Sequence, residues 1–264
     1  MKKYSIIIFF LFISVGAQSQ VLIALLLGDK LNTGKIEFGL DGGLNYSTIG
    51  GLETSKYANS FNLGFYFDIK MKNQWYLNTG VLVKSTLGAE GLTETDLTSI
   101  NATIFTPDNQ DGEGSYTQKL NGFLVPVLAK YKFKNNFHIE AGPQFGWIYK
   151  SWVEYNYEID GNSAKIKEYN RDETNWFDMG VAGGFGYRFL KGLGWTATVR
   201  YYYGFTNLYK NVSGSNNSSL FLKLNIPFGV SEEKKEEITE MKLHLKTKKE
   251  EKKAARKAAK ENKN

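Results

Sequence analysis

The residues of this chain best suited to acid–base chemistry are His138 and Glu140. They stand two positions apart in an alternating stretch, so both side chains lie on the same face of a predicted strand. A histidine oriented by a carboxylate can activate a hydroxyl nucleophile, as a lipid hydrolase requires. The alternative is a histidine that only forms hydrogen bonds inside the protein. The position of its strand in the fold decides between the two.

One segment is rich in oxygen ligands, Asp108–Glu113, within a longer acidic loop. Its side chains could coordinate Ca²⁺, but their spacing does not match an EF-hand, and we interpret the segment as a solvated loop. Neither His138 nor His244 has a cluster of metal-ligand residues around it in the sequence. The chain has no cysteine, which excludes disulfides and thiolate chemistry. We therefore expect no metal or cofactor site.

The N-terminal residues have the pattern of a secretory signal peptide. Two lysines follow Met1, an uncharged apolar run extends from Tyr4 to Val15, and small residues precede Gln20. We predict cleavage of residues 1–19 and a periplasmic segment over 20–34. Within that segment, Val21–Leu27 is either a short interfacial helix or an apolar linker.

The formal net charge of +6 does not describe the central part of the chain. Residues 231–264 contain 12 Lys or Arg and 8 Asp or Glu, and the predicted signal peptide holds two further lysines. Residues 18–230 carry 19 charges of each sign and are neutral. The body therefore has no electrostatic reason to bind nucleic acid. We interpret 231–264 as a charged, helical tail.

Alternating apolar and polar residues predict eight β-strands. Short turns alternate with long loops between them, as is typical of outer-membrane barrels. In sequence order these connections are 47–57, 70–73, 87–116, 134–136, 153–173, 190–193 and 206–216. The predicted strands cover approximately 35–46, 58–69, 74–86, 117–133, 137–152, 174–189, 194–205 and 217–228.

The two faces of these strands differ in chemistry. One face is aliphatic and aromatic, as in Phe61, Leu63 and Phe65, and the other carries glycine, tyrosine and charged residues. The charged face cannot form a dry core, because unpaired buried charges are very costly, but acids and bases can pair across a narrow lumen. The charged residues predicted to point inwards are Glu37, Asp41, Asp68, Glu140, Asp178, Lys84, Lys130, Lys132, Arg188, Arg200 and Lys223.

This distribution predicts an all-β fold, an eight-stranded antiparallel transmembrane β-barrel over residues 35–230, with its apolar face towards lipid. A soluble lipocalin-like barrel, with the aromatic face inside, is the alternative. Eight strands enclose a lumen that side chains fill, so we expect a plugged interior. Inward glycines such as Gly39 and Gly186 are expected to make room for large side chains.

The even number of strands places both ends of the barrel, and therefore the 231–264 tail, in the periplasm. His138 follows a short turn and lies at the same end, whereas barrel enzymes that cut lipid act near the outer leaflet. We therefore expect His138 to be a hydrogen-bonding residue of the lumen and expect no catalytic residue.

Four strand segments have distinctive motifs: 124–131 (LVPVLAKY), 140–146 (EAGPQFG), 183–188 (GGFGYR) and 200–207 (RYYYGFTN). Together they resemble the motifs of the PorT-type outer-membrane β-barrel family of Bacteroidetes. The resemblance extends over about 35–230 and implies a barrel. One member of that family is implicated in secretion and gliding, most have no assigned role, and no functional residue can be transferred. The chain differs in its long charged tail after Phe228.

We therefore predict an outer-membrane protein with a structural or interaction role, exerted through extracellular loops and the periplasmic tail and linked to secretion or envelope integrity. The expected partners are outer-membrane lipid and lipopolysaccharide, together with a periplasmic protein or the cell wall for the tail, and no nucleic acid. Two alternatives remain: a lipid-modifying enzyme, and a barrel that binds or transports a small ligand. We expect no enzymatic activity.

Overall fold

The structure, a computed structural model, describes residues 35–54, 56–105, 114–159 and 162–228, and separate tail positions between 239 and 251. Within these ranges, no helix is long and apolar enough to cross a membrane. The predicted signal peptide and the Val21–Leu27 segment lie outside the described residues.

The described part of residues 35–228 contains nine strands and one short α-helix. The strands are β1 (Ile36–Ile49), β2 (Lys56–Lys70), β3 (Trp75–Glu90), β4 (Ser115–Lys132), β5 (Phe137–Ile159), β6 (Asn162–Tyr169), β7 (Phe177–Arg188), β8 (Thr196–Asn207) and β9 (Asn216–Pro227), and the helix α1 is Glu94–Ser99.

Eight of these strands close into a ring in which all neighbours are antiparallel. Consecutive strands pair from β1 to β5, β5 pairs with β7, β7 with β8, β8 with β9, and β9 with β1. The predicted eight-stranded barrel is confirmed.

The structure adds one strand outside the ring. β6 pairs with the far half of β5, from Trp152 to Ile159, and forms a hairpin at this end of β5, where residues up to Asn156 also pair with β4. The prediction of a loop over 153–173 is therefore wrong. Its residues alternate between two faces, with Ile166 and Glu168 on one and Lys165, Lys167 and Tyr169 on the other, and this alternation suits a paired strand.

The connections at one end of the barrel are compact turns, and we call it the short-turn end. The other end, which we call the long-loop end, carries the long segment between β3 and β4 and the β5–β6 hairpin. The short turns lie between β2 and β3, between β4 and β5, and between β7 and β8. Asn73 and Asn136 adopt φ values of 54° and 68° there. This left-handed conformation allows a tight turn, and asparagine tolerates it better than most residues.

Exposure alternates along the strands as expected for a membrane barrel. In β5, Phe137, Ile139 and Trp147 are 48%, 51% and 57% exposed, whereas His138 and Glu140 are each 3% exposed. The apolar face is therefore on the outside and the polar face fills the interior. A soluble lipocalin-like barrel would require the opposite arrangement, so this alternative is wrong.

One predicted inward residue, Lys84, lies instead on the outer surface. The pairing of β3 with β4 shifts register between Leu82 and Ser85, so that β3 carries one residue more than its partner. Such a bulge reverses the alternation of side chains beyond it, which the sequence pattern alone did not indicate.

Aromatic side chains collect in two zones of the outer surface. Near the short-turn end, the rings of Trp75 and Tyr131 have centroids 5.0 Å apart. Towards the long-loop end, Trp147 and Trp176 are 4.9 Å apart. Paired zones of this kind are the interfacial girdles of outer-membrane barrels, and they mark the limits of the lipid-facing band.

Inward glycines make room for large side chains, as predicted. A Cβ at Gly39 would overlap the ring of Tyr66, and one at Gly186 would overlap the ring of His138. The interior is therefore packed by large residues that stand opposite residues with no side chain.

An apolar core covers the long-loop end. In α1, Leu97 is fully buried, and Ile100 beyond its end is 2% exposed. They pack with inward residues of the barrel strands, such as Leu120 and Val153, and with Tyr209 of the segment after β8. Helix α1 begins with a capping box in which the Thr93 hydroxyl accepts a hydrogen bond from the backbone of Asp96.

Candidate functional sites in the barrel interior and on its outer wall

The predicted pair His138 and Glu140 meets inside the barrel near the short-turn end. His138 Nε2 lies 3.8 Å from Glu140 Oε2 and 3.3 Å from the hydroxyl of Thr198. These residue types could form a hydrolytic triad, but all three residues are at most 3% exposed. The structure thus places the pair where its sequence position predicted, enclosed by the barrel wall.

Glu140 belongs to a network of buried charges that crosses the interior. It accepts a hydrogen bond from Arg200 Nε at 2.7 Å and lies 3.8 Å from Lys130 Nζ. Lys130 is 3.1 Å from Asp68. Asn78 links Asp68 to Arg200, because it donates to the Asp68 carboxylate at 2.7 Å and accepts from the Arg200 guanidinium at 2.9 Å. These residues come from β2, β3, β4, β5 and β8, so the network spans the lumen.

A second buried ion pair lies where the first and last strands meet. Lys223 Nζ is 2.6 Å from Asp41 Oδ2, and the two side chains are 1% and 4% exposed. Pairing of this kind is what allows charges to be buried at all. The other inward charges are held by the contacts Arg188–Glu37 (2.6 Å), Lys132–Asp68 (2.8 Å), Thr206–Asp178 (2.6 Å) and Asn217–Asp178 (2.9 Å).

The long-loop end is fastened by hydrogen bonds around Asp96. Its carboxylate accepts from the backbone N–H of Glu53 at 2.6 Å, of Thr93 at 3.0 Å and of Thr54 at 3.2 Å. This ties the β1–β2 connection to α1. Burial, together with the nearby Asp96 carboxylate, raises the pKa of the Tyr209 phenol. The phenol is therefore neutral.

On the outer wall, a cleft opens where β2 and β3 separate near the long-loop end. Pairing between them is interrupted over residues 58–61 of β2 and 86–88 of β3. Asn45 of β1 closes part of the gap by donating to the backbone oxygen of Thr86 at 2.9 Å. The cleft has a volume of about 340 Å³, and its lining is Ala58, Asn59, Ser60, Thr86, Leu87, Lys119, Asn121, Trp152, Glu154, Lys165 and Lys167.

Three lysines of this cleft converge on one carboxylate. Glu154 lies 2.7 Å from Lys119 Nζ, 3.3 Å from Lys165 Nζ and 3.7 Å from Lys167 Nζ. The glutamate side chain is only 4% exposed, whereas Lys165 and Lys167 are 56% and 45% exposed. The carboxylate therefore forms the floor and the ammonium groups form the rim.

Electrostatics keep that carboxylate ionised. Burial by itself raises the pKa of Glu154, but the hydrogen bonds and charges of Lys119 and Lys165 outweigh it and lower the pKa to about 2. One negative charge then faces three positive ones, which leaves an excess of two positive charges in the cleft.

A fourth lysine extends the cluster along β5. Lys150 Nζ lies 5.0 Å from the ring centroid of Tyr169 and 5.5 Å from that of Trp152. These distances are within the range of cation–π attraction, which holds the ammonium over the rings. We call Lys119, Lys150, Lys165 and Lys167 the outer lysine cluster.

The sequence pattern does not indicate the outer lysine cluster. Lys119 and Lys150 lay in predicted strands and the other two lysines in a predicted loop, so nothing in the sequence brought them together. The available signal was the alternation of Lys165, Lys167 and Tyr169, which indicates one polar face of a strand. In the described part of the chain, no group of three or more His, Cys, Asp or Glu could hold a metal ion. The Asp108–Glu113 segment lies outside that part.

A closed ring of eight strands, with an apolar exterior and a paired charged interior, defines a small outer-membrane β-barrel. The chain belongs to the outer membrane protein beta-barrel domain family, whose model matches residues 17–210. The protein is accordingly an outer-membrane protein. Its sequence matches no curated protein.

Solved structures with a similar course of the chain include the following three proteins. Ail, the attachment invasion locus protein of Yersinia pestis, is 10% identical with a TM-score of 0.36, and the match covers 74% of this chain and 99% of Ail. Neisserial surface protein A is 10% identical with a TM-score of 0.34, covering 73% and 97%. OprG from Pseudomonas aeruginosa is 13% identical with a TM-score of 0.29, covering 73% and 93%. Similarity this low carries no argument about function.

Proposed function

We propose that this protein is a closed, non-catalytic outer-membrane barrel whose role is to present binding surfaces at its long-loop end, outside the cell, in the service of envelope integrity or secretion. The observation that supports this most directly is that the interior is occupied at two levels. Buried ion pairs cross the middle of the lumen, and the apolar core around Leu97 covers the long-loop end.

The two levels obstruct different kinds of passage. An ion moving through the middle would have to displace paired charges such as Arg200 and Glu140, whose side chains are 3% and 1% exposed. Leaving one member of such a pair without its partner costs several kcal/mol. An apolar ligand would instead have to open the core around α1. The buried ion pairs and the apolar core both argue against the transport alternative.

The enzyme alternative requires substrate at His138. Its imidazole and the Thr198 hydroxyl are enclosed by the barrel wall, and the turn that precedes β5 places them at the short-turn end. In outer-membrane barrels this end faces the periplasm. The geometry therefore favours the structural role that we propose for this pair.

The test is a conductance measurement in planar bilayers with the full-length protein, and a general diffusion porin in the same bilayers as the positive control. We expect no steady open events. A stable, ohmic conductance in wild-type protein would refute the closed interior. The same preparation is assayed for phospholipid and lipid A turnover, with His138→Ala as the matched variant. Turnover that this substitution abolishes would establish the enzyme instead.

Two finer features are part of the proposal. The strand motifs at 124–131 and 200–207 support membership of the PorT-type group within this barrel family.

The charged tail is proposed to contact a periplasmic protein or the cell wall. Leu243, which is helical and 66% exposed, is a suitable site for a photoreactive residue, and a tail that yields no crosslinked product in cells would contradict this contact.

A further inference from the structure

The outer lysine cluster faces the surroundings of the barrel, and not its mouth. On β5, Trp152 and Glu154 alternate with Ser151 and Val153, which are at most 1% exposed and point into the interior. On β4, Lys119 lies between Gln118 and Leu120, which are buried inside the barrel in the same way. Since neighbouring residues of a strand point to opposite faces, the lysines lie on the outer wall.

The height of the cluster on that wall is set by the aromatic girdle. Trp147 belongs to the zone nearer the long-loop end, and Lys150 and Glu154 follow it by three and seven residues on the same strand. A strand rises about 3.4 Å per residue and tilts by about 40° in these barrels, so the two residues stand roughly 8 Å and 18 Å beyond Trp147. This is the layer of lipid headgroups and their first sugars.

The charge of the cluster suits an anion. Glu154 can neutralise one of the three ammonium groups around it, and Lys150 adds a fourth positive charge beside the cleft. Lys165 and Lys167 are about half exposed, so their remaining N–H groups are free to donate to a ligand without any rearrangement of the strand backbone.

The outer face of β3 adds a further lysine towards the membrane. The bulge that turns Lys84 outwards places it on the same face as Thr86, two residues away, and Thr86 lines the cleft. Isolated lysines on the lipid side of a barrel are costly near the membrane midplane and tolerated near its surface. Lys84 therefore lies near the membrane surface, where its ammonium group can contact an anionic lipid headgroup.

We propose that the outer lysine cluster binds the phosphate groups of an outer-leaflet glycolipid of the lipopolysaccharide type. This inference rests on the proposed extracellular orientation of the long-loop end. The lipid, not a soluble polyanion, is the occupant, because the cleft opens sideways from the wall at headgroup height, directly beyond the aromatic girdle. The ring of Tyr169, which is 61% exposed, gives the sugars of the glycolipid an apolar surface to stack on.

The experiment compares full-length protein in detergent micelles with two probes that share the same acyl chains, lipid A and lipid A from which the phosphates have been removed. The test variant is the double substitution Lys165→Gln, Lys167→Gln. The control variant is Lys72→Gln, Lys134→Gln, which removes two exposed lysines from the short-turn end. Heat-modifiable gel migration shows that each variant is folded.

We expect wild-type protein and the control variant to bind phosphorylated lipid A about tenfold or more tightly than the dephosphorylated form, and the test variant to lose most of that preference. The preference should also shrink as salt is raised, because exposed ammonium groups are screened.

Equal binding of the two probes by wild-type protein would overturn the proposal, as would an equal loss in the control variant. Displacement of lipid A by millimolar inorganic phosphate would show a site for free anions, and tighter binding of heparin than of lipid A would show a site for soluble polyanions. Both results reject the lipid. None of these outcomes depends on whether the barrel conducts, so the proposed closed interior stands or falls separately.

Discussion

Breaking the ion pair at the closure of the barrel should destabilise the protein far more than removing the pair altogether. Lys223 of β9 and Asp41 of β1 lie 2.6 Å apart across the seam between the last and first strands, with side chains 1% and 4% exposed. The perturbation is Lys223→Met, which keeps a side chain of similar length and removes its charge. It leaves the Asp41 carboxylate buried without that partner.

The magnitude follows from the burial of both groups. Removing one member of a buried pair costs about 3–5 kcal/mol of the free energy of unfolding, because the other charge loses both water and counter-charge. Replacing both members by apolar residues of similar volume is close to neutral or stabilising. We therefore expect Lys223→Met to lower the folded-to-unfolded ratio by roughly 10²- to 4 × 10³-fold, and Asp41→Leu with Lys223→Met to restore most of it.

The free energy of unfolding is measured by guanidinium titration in lipid vesicles, followed by tryptophan fluorescence and heat-modifiable migration. The double-mutant cycle compares wild-type protein, the two single variants and the double variant. The coupling energy between the two sites should amount to several kcal/mol. If Lys223→Met cannot be folded at all, folding of the double variant still decides the question. A loss below about 1 kcal/mol in the single variant would mean that water reaches the pair, as at an exposed ion pair, and would refute the dry interior on which the closed barrel rests.

Two further predictions concern other parts of the barrel. Because the pKa of Glu154 is lowered from 4.5 to about 2, ionisation of its carboxylate stabilises the β5–β6 hairpin fully above about pH 4.5, and this contribution disappears as the pH falls towards 2. Pepsin is itself more active at low pH, so hairpin cleavage in wild-type protein is compared with that in Glu154→Gln at each pH. Wild-type protein should be cleaved more slowly than the variant at about pH 4 and at nearly the same rate near pH 2; a ratio of the two rates that does not change with pH would contradict this. In β1, Gly39→Ala should reduce the folded fraction on heat-modifiable gels, since the new Cβ overlaps the backbone oxygen of Ile226 on β9 as well as the Tyr66 ring. Gly42→Ala, with its nearest neighbour at 3.6 Å, should fold normally. Equal folding of the two variants would show that the strand pair and the interior yield to a methyl group.

Much of the fold could be predicted from the sequence because the two faces of each strand have opposite chemistry. The set that contains Phe137, Ile139 and Trp147 is apolar at every second position, and a period of two assigns it to one face regardless of what the strand pairs with. Charge then fixed which face is inside, since Glu140, Lys130 and Arg200 can be buried only in contact with one another.

The errors of prediction arise where one residue changes the local geometry. The prediction assigns faces to alternate residues of a strand. A bulge inserts one extra residue and reverses this assignment beyond it, but the sequence pattern does not show where a bulge lies. For this reason the prediction placed Lys84 inside, whereas it lies outside. The hairpin of β5 and β6 was predicted as a loop because its residues are polar on one face and mixed on the other. That these residues form two paired strands is established only by the structure, in which Trp152 pairs with Tyr169 and Glu154 pairs with Lys167.

Residue spacing along the chain is enough to predict an outer-membrane barrel with eight strands, an apolar exterior, and a histidine at the end where the short turns lie. The pairing of the interior charges and the meeting of the lysines on the outer wall follow only from the folded arrangement of the strands. Lys119 and Lys165 are 46 residues apart in the numbering and contact the same carboxylate because β4 and β6 both lie beside β5. Such contacts depend on strand register, which alternation alone does not specify.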